Sequence, residues 1–432
     1  MYKIVKQNNF EKAGILMTST NKGLIKNKKN IKFNKVDLLT IAIQMFYWML
    51  FCSVYGYATY YMKQSGHSSG SIGLIVAAGS IISVIIQPWL GTLSDKGGAK
   101  RLKEIILIVL GLGAILMFGV TMLQSSLLVI TVLYIFTISL LLSLQPLINS
   151  YVIAALAIDG NLNFGITRAF GSMSFAIQSS ILGTLVGLFS KQMVPLNAMI
   201  YFMITGLAIM FLPVRAQSIH ETEEDINFDQ GAIAFLKRYN GFSLILLGVS
   251  LIYAFHTICN VYLIQIIQNV NGNEMQFGRA MTFAALSELP TMLGFGLLLK
   301  RFKSGTLFML SGVFFVFKSI LFLTATSVQM IYMAQLMQIV SFALYVPASV
   351  SYIHDRMKNK DKVKGQSYLI ASTTFGGVIA SIGGGVIIEL YSVKAMLVGG
   401  LVLASIGATL LILGIMKDSS KKTLKFSPSE VK

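Results

Sequence analysis

IQPWLGTLSDKGGAKR, the stretch from Ile86 to Arg101, marks the point where an apolar helix meets water. Gly91 and Gly98 let two helix ends approach closely, and Asp95 is favoured where its charge faces the N-terminus of a neighbouring helix. The basic residues that follow, ending at Arg101, stay on the cytoplasmic side of a membrane. The stretch therefore predicts a loop that packs two membrane helices together and fixes their orientation. Taken alone, it also fits an ordinary hairpin with solubilising charges.

The composition of the chain indicates a membrane protein. Hydrophobic residues make up 55% of the 432 positions, charged residues make up only 12%, and the mean hydropathy is +0.72. A soluble domain carries about a quarter of its residues as charges, so this chain cannot solvate a globular surface. Its apolar runs are about twenty residues long, which suits membrane-spanning helices and exceeds the length of barrel strands. The chain is predicted to be an all-α integral membrane protein.

The net charge and the two cysteines argue against other classes of function. The formal net charge is +18, but the basic residues flank apolar helices, which favours membrane topology over nucleic-acid binding. Cys52 and Cys259 both lie inside predicted spans, where two buried thiols are expected rather than a disulfide. The sequence shows no nucleophile constellation, metal-ligand cluster or phosphate-binding loop. We therefore expect neither an enzyme nor a protein that holds a metal or a cofactor.

Twelve apolar segments and one long polar interruption set the organisation of the chain. The interruption, residues 214–240, carries five acidic residues and divides the helices six and six. The predicted helices cover 36–62, 70–93, 102–123, 126–156, 167–190, 194–213, 241–268, 276–299, 305–325, 328–353, 365–390 and 394–416. The predicted domains are a basic cytoplasmic N-terminal arm (1–35), an N-terminal six-helix half (36–213), a cytoplasmic linker (214–240), a C-terminal six-helix half (241–416) and a cytoplasmic tail (417–432).

The distribution of basic residues predicts the orientation of the chain. Of its 35 Lys and Arg residues, 30 lie in the two terminal segments, in the linker, and at the connections 2–3, 4–5, 8–9 and 10–11. Positively charged residues are retained on the cytoplasmic side of a membrane. We therefore expect a multi-pass protein of the cell membrane with both termini in the cytoplasm.

Three ionisable side chains lie well inside predicted spans, where such groups are costly and are functional candidates by default. Glu288, in the middle of helix 8, is the candidate for taking up and releasing a coupling proton. Lys318 in helix 9 is the candidate partner of Glu288 or of a substrate oxygen. His256 in helix 7 is a titratable candidate for the same site. For each of them, a structural role in hydrogen bonding between helices stays open.

A cation and an aromatic residue in helix 5 indicate a solute site. Arg168 offers a planar fork of donors that suits hydroxyls, carboxylates or phosphates, and Phe175 follows two turns later on the same face. Such a pair on one cavity wall suits a sugar or a nucleoside, and an anchor at the cytoplasmic edge is the plainer alternative. Asn149 in helix 4 and Gln338 in helix 10 add uncharged polar groups, which fit a neutral solute and interhelical hydrogen bonds equally well.

Several stretches resemble the major facilitator superfamily, and within it the oligosaccharide–proton symporters of the lactose permease type. QPWLGTLSDK (87–96) resembles the end of helix 2 with the signature loop that follows it. FGITRAFGSMSFAI (164–177) is similar to the helix-5 segment of the symporters, GVSLIY (248–253) to the start of helix 7, and SELP (287–290) to the helix-8 glutamate. The resemblance implies twelve helices in two six-helix halves, a monomer, and a solute site near the midplane between the halves.

The resemblance also implies roles for single residues. Arg168 falls on the sugar-binding arginine, Phe175 replaces an aromatic residue that stacks on the sugar, and Glu288 falls on a glutamate that binds sugar and takes part in coupling. Lys318 lies close to a helix-9 arginine of that family. The signature loop is implied to act in the conformational switch through Gly91, Asp95, Gly98 and Arg101.

Departures from the symporter pattern limit what the resemblance implies. The helix-4 acid that pairs with the arginine is Ser150 here, and the helix-10 histidine and glutamate of the proton relay are Gln338 and Ser341. If a proton is coupled, Glu288 is therefore its carrier. The sequence predicts proton-coupled uptake of a small polar solute, such as a sugar, an oligosaccharide or a nucleoside, across the lipid bilayer. The alternative is a multidrug or lipid exporter of the same fold.

Overall fold

The computed structural model describes residues 33–95, 98–124, 126–162, 164–212, 232–239 and 241–423. Most of the predicted N-terminal arm, most of the predicted linker and residues 424–432 of the predicted tail lie outside this description. So do Lys96, Gly97 and the side chain of Asp95 in the signature loop.

Within the part of the chain that the structure describes, twelve helices are long and apolar enough to cross a membrane, which confirms the predicted all-α fold. The polar segment between the sixth and the seventh separates an N-terminal half (α1–α6) from a C-terminal half (α7–α12). Their bounds are α1 Lys35–Gly56, α2 Ser69–Ser94, α3 Gly98–Met122, α4 Leu127–Asp159, α5 Phe164–Leu188, α6 Met193–Phe211, α7 Phe242–Val261, α8 Glu274–Arg301, α9 Ser304–Thr324, α10 Val328–Arg356, α11 Asp361–Leu390 and α12 Val393–Asp418.

Side-chain caps define where several of these helices begin. Ser126 and Ser327 accept hydrogen bonds from backbone amides in the first turns of α4 and α10. Asn34 and Asn273 form capping boxes at the starts of α1 and α8, in which the side chain and the backbone amide of the cap are both paired. Because the first amides of a helix have no partner within it, such caps stabilise each helix end at the membrane boundary.

The first helix of each half is interrupted near its end. In α1 the last turn, Cys52–Gly56, is a π-helix, and a short helix Ala58–Gln64 follows Tyr57. In α7 the helix ends before Tyr262, and a short helix Leu263–Asn269 follows. The sequence predicted uninterrupted helices here. The breaks are stabilised by tertiary hydrogen bonds, since the Tyr57 hydroxyl donates to the Ser179 carbonyl and the Tyr262 hydroxyl donates to the Ser381 carbonyl.

The two halves meet at the end of the bundle opposite Lys35, where α1 begins, and Thr423, where the helix that contains α12 ends. We call this the distal end and the other the proximal end. Helix α5 packs against α8, and α2 packs against α11. Hydrogen bonds between described residues join the halves here: Lys63 to Gln268, Gly70 to Glu389, Gln265 to Ser69, Ser179 with Thr282, and Thr282 to the Ala176 carbonyl. The structure is therefore a state in which the distal end is closed.

The described part of the signature loop includes Gly91, Gly98 and Arg101. Gly98 has a backbone φ of 61°, a left-handed conformation that explains the glycine. A Cβ added at Gly91 meets no described atom within 4 Å, and the predicted close approach of two helix ends at this loop stays a prediction. Arg101 forms an ion pair with Glu104 in the same helix, with a guanidinium nitrogen 3.3 Å from a carboxylate oxygen. Both side chains are exposed to solvent.

A short helix, Ala232–Arg238, lies within the segment predicted as a linker and packs against the C-terminal half. Its Phe235 is buried against Phe242 and Tyr368. Arg238 forms an ion pair of 3.0 Å with Asp361, and the Tyr239 hydroxyl donates to the same carboxylate. Burial raises the pKa of Tyr239, so its hydroxyl stays a donor at physiological pH.

Candidate functional site

Arg168 lies in the first turns of α5, with its guanidinium stacked on the indole ring of Trp48 in α1. The guanidinium carbon lies 3.7 Å from the ring centroid, and one guanidinium nitrogen donates to Ser172 at 2.9 Å. The ring fits against α5 because Gly171 has no side chain: an added Cβ would lie 2.5 Å from an indole carbon. Stacking on an aromatic face orients the planar cation and leaves further N–H donors for a ligand.

Glu288 lies in the middle of α8, in the opposite half, and is partly buried. Its carboxylate accepts a hydrogen bond of 3.1 Å from the side-chain amide of Gln338. The side-chain oxygen of Gln338 accepts a hydrogen bond from the buried ammonium of Lys318. The predicted partnership of Lys318 with Glu288 is thus indirect, since Gln338 connects the two.

An interruption of α10 places Gln338 between these charges. The α-helical part Val328–Leu336 passes into a short 3₁₀ turn, Met337–Ile339, before the helix resumes at Phe342. The hydroxyl of Thr291, one residue after Pro290 in α8, donates to the Ile339 carbonyl at 2.6 Å. Irregular backbone inside a membrane is tolerated where neighbours satisfy the freed groups, and it is frequent at binding sites.

The two halves present opposite charges to each other at this site. Arg168 in the N-terminal half and Glu288 in the C-terminal half are close enough to interact electrostatically, and Lys318 also lies within the field of Glu288. The predicted residues Arg168, Glu288, Lys318 and Gln338 therefore belong to one region between the halves. A ligand placed there would meet donors from one half and a carboxylate from the other.

His256 is buried in α7 beside this region. Its imidazole stacks on Phe342 with ring centroids 4.5 Å apart, and its Nε2 lies 2.9 Å from the side-chain nitrogen of Asn260. Its Nδ1 has no hydrogen-bond partner among the described residues. Lys318 lies within electrostatic range. The predicted place of His256 in the site stays a prediction.

Phe175 and Asn149 make contacts that do not involve Glu288, Lys318 or Gln338 in the described contacts. Phe175 lies near Gly56 of α1, with its ring 3.8 Å from the position that a Cβ would take there, and the ring stacked on Arg168 is that of Trp48. Asn149 accepts a hydrogen bond of 3.1 Å from Gln44, which joins α4 to α1 within one half. Their predicted contact with a solute stays a prediction.

Trp48 is the residue that the sequence analysis missed. Its indole nitrogen is buried and has no hydrogen-bond partner among the described residues. A signal was present in α1, because Gln44, Trp48 and Tyr55 recur at intervals of four and seven residues and so share one helix face.

Comparisons with known proteins agree with this architecture. The model of the MFS_1 like family matches residues 40–397. The chain is 23% identical over 362 residues to the uncharacterized transporter YwbF of Bacillus subtilis (strain 168), covering 83% of this chain and 88% of YwbF. It is 23% identical over 385 residues to the maltose permease of Geobacillus stearothermophilus, covering 85% of this chain and 93% of the permease.

The fold is also found in a solved structure. The crystal structure of the nucleoside transporter NupG superimposes with a TM-score of 0.74 at 17% identity, covering 89% of this chain and 99% of NupG. At this identity the match bears on the fold alone. Because the family model spans well over half of the chain and the fold is that of these transporters, the chain belongs to the MFS_1 like family and is a transporter of the major facilitator superfamily.

Proposed function

We propose that the protein is a proton-coupled importer of a small, neutral, hydroxyl-rich solute, either a sugar or oligosaccharide or a nucleoside. The observation that carries the proposal is the stacked Arg168–Trp48 pair of one half, which lies within electrostatic range of the Glu288 carboxylate in the other half. Guanidinium N–H groups and carboxylate oxygens both bind hydroxyls. The aromatic ring adds an apolar face for a ring-shaped solute, and its indole N–H, which has no partner among the described residues, adds one more donor.

The names of similar proteins support this class of solute. One curated relative is a maltose permease, and the superimposed structure is that of a nucleoside transporter. Both names specify solutes rich in hydroxyl groups, which matches the donor and acceptor set around Arg168 and Glu288. The identities of 23% and 17% leave the choice between the two classes to experiment.

Glu288 is the residue proposed to carry the proton. In symport, the proton and the solute must each raise the affinity for the other. Protonation of Glu288 removes its attraction for Arg168 across the halves and supplies a carboxyl O–H donor to a solute hydroxyl. Release of the solute and the proton at the proximal end, taken to face the cytoplasm, restores the negative charge of Glu288 and its attraction for Arg168.

The first experiment measures pH outside de-energised cells that express the protein, while a panel of sugars and nucleosides is added. Alkalinisation with one compound is the expected result, because a symporter carries protons inward with its solute. The responding compound identifies the solute class. No response across the panel, with the protein shown to be in the membrane, would contradict proton-coupled uptake and favour a multidrug or lipid exporter.

A second experiment tests the role of Glu288. We expect Glu288→Gln to abolish accumulation of the solute while preserving exchange, because exchange needs solute binding and movement of the halves without net release of a proton. Glu274→Gln, the same substitution at the start of the same helix, is the matched control and should accumulate solute normally. A Glu288→Gln variant that still accumulates solute against a gradient would overturn the assignment.

A further inference from the structure

Glu389 occupies a position that its own helix does not favour. It is the penultimate residue of α11, which ends at Leu390. The C-terminal end of a helix carries a partial negative charge, so a carboxylate there is destabilised by the helix to which it belongs. Its side chain is also exposed. The stabilisation that its own helix does not supply can come from a neighbouring element.

The neighbouring element is the N-terminus of α2, in the other half. The carboxylate of Glu389 accepts a hydrogen bond of 2.8 Å from the backbone amide of Gly70, the second residue of α2. This end of a helix carries a partial positive charge and amides without partners in the helix. The carboxylate thus caps a helix of the N-terminal half from the C-terminal half.

The neighbouring polar groups at the start of α2 have other partners, and the backbone amide of Gly70 donates to Glu389. Ser68, just before α2, accepts from the amide of Ser71 at 3.3 Å. Gln265 of the C-terminal half donates to the Ser69 side chain at 3.0 Å. Only glycine at position 70 fits the carboxylate where it stands, because a Cβ there would lie 2.5 Å from the Glu389 carboxylate oxygen and would displace it.

We propose that Glu389 is a positioning residue for alternating access, one that holds the distal end closed by capping α2 across the two halves. Separation of α2 from α11 breaks the hydrogen bond and leaves the carboxylate at the unfavourable end of its own helix. The charge therefore stabilises the distal-closed state over the distal-open state. This inference rests on the fold and is independent of the solute and of proton coupling.

The test measures the distance between the halves at the distal end in the full-length protein. Spin labels are attached to Ser190→Cys in the α5–α6 connection and Thr326→Cys in the α9–α10 connection, both exposed positions. The native Cys52 and Cys259 are buried. Double electron–electron resonance then reports the share of molecules with a long distance. We expect Glu389→Ala to raise this share about tenfold, since a hydrogen bond to a charged group is lost in the closed state only.

Gly70→Ala supplies the reciprocal variant, because its Cβ displaces the carboxylate. We expect the same increase as for Glu389→Ala, and the double variant should show no further increase, since both substitutions remove one interaction. Added salt should raise the long-distance share of the wild-type protein and leave that of Glu389→Ala unchanged.

Two controls separate this effect from general loosening. Gly383→Ala adds a Cβ to α11 where no described atom lies within 4 Å, and Glu274→Ala removes an acid from the N-terminus of its own helix at the same end. Both should match the wild-type distances. The proposal is overturned if Glu389→Ala, with an unchanged melting temperature, also matches them, or if the effects of Glu389→Ala and Gly70→Ala add.

Discussion

Gln338 is the residue that lets two opposite charges share the interior of the C-terminal half. Its amide accepts from the Lys318 ammonium through one end and donates to the Glu288 carboxylate through the other. Lys318 is only 1% exposed, so the carbonyl of Gln338 replaces part of the water shell of the ammonium. An apolar side chain at position 338 would leave that ammonium without this acceptor.

We therefore expect Gln338→Ala to lower the free energy of unfolding by about 1–3 kcal/mol, the cost of leaving a buried polar partner unsatisfied. Thermal unfolding in detergent measures the effect. Gln335→Ala is the matched control, because Gln335 is equally buried and its side-chain oxygen has no hydrogen-bond partner among the described residues. Equal losses in the two variants would show that Gln338 acts through packing alone.

At the scale of single residues, the sequence identified the charged side chains inside the membrane spans but not the side chains that contact them. Glu288 and Lys318 could be predicted because an ionisable group in a membrane span is rare and needs a partner. That the partner is a shared amide depends on the 3₁₀ turn in α10, which no local pattern indicates. The stacking of Trp48 on Arg168 joins α1 to α5 and is likewise a tertiary contact.

At the scale of helices, the features set by local sequence could be predicted, whereas the features set by tertiary contacts could not. Hydropathy continues without a change through Tyr57 and Tyr262, so the sequence predicted one helix at each place. At both breaks a tyrosine hydroxyl donates to a carbonyl of another helix, at Ser179 and Ser381, and such tertiary contacts leave no local pattern in the sequence. Twelve spans could be predicted from apolar length alone because the bilayer sets that length.

The helix Ala232–Arg238 gives an element-scale prediction. Phe235 is 2% exposed and anchors this helix to α7 and α11. We expect Phe235→Ala to cost about 3–5 kcal/mol of local packing, as for other buried phenylalanines. The helix should then leave the bundle, and proteolysis of purified protein should cleave the segment between α6 and α7 at a much higher rate.

Lys237→Ala is the control for this experiment, because Lys237 is an exposed residue of the same helix. It should leave the cleavage rate unchanged. If Phe235→Ala is cleaved at the same rate as the wild-type protein, the ion pair between Arg238 and Asp361 is sufficient to hold the helix in place.

The whole molecule combines two halves that meet at the distal end with a strong asymmetry of basic charge along the bundle axis. Of the Lys and Arg residues that the structure describes, most lie at the proximal end, including Lys300 and Arg301 at the end of α8 and Lys303 just before α9. Such residues are retained on the cytoplasmic side during insertion. We therefore expect the proximal end to face the cytoplasm and the closed distal end to face outward.

Labelling of single cysteines with a membrane-impermeant maleimide tests this orientation. Native Cys52 and Cys259 are buried, so the unmodified chain supplies the background. Thr326→Cys at the distal end should react in intact cells, whereas Val363→Cys, at an exposed proximal position of α11, should react only after permeabilisation. The reverse pattern would place the Arg168–Glu288 region behind a gate closed towards the cytoplasm. In that case the structure would be an outward-facing state, and Glu389 would control solute release inside the cell instead of entry from outside.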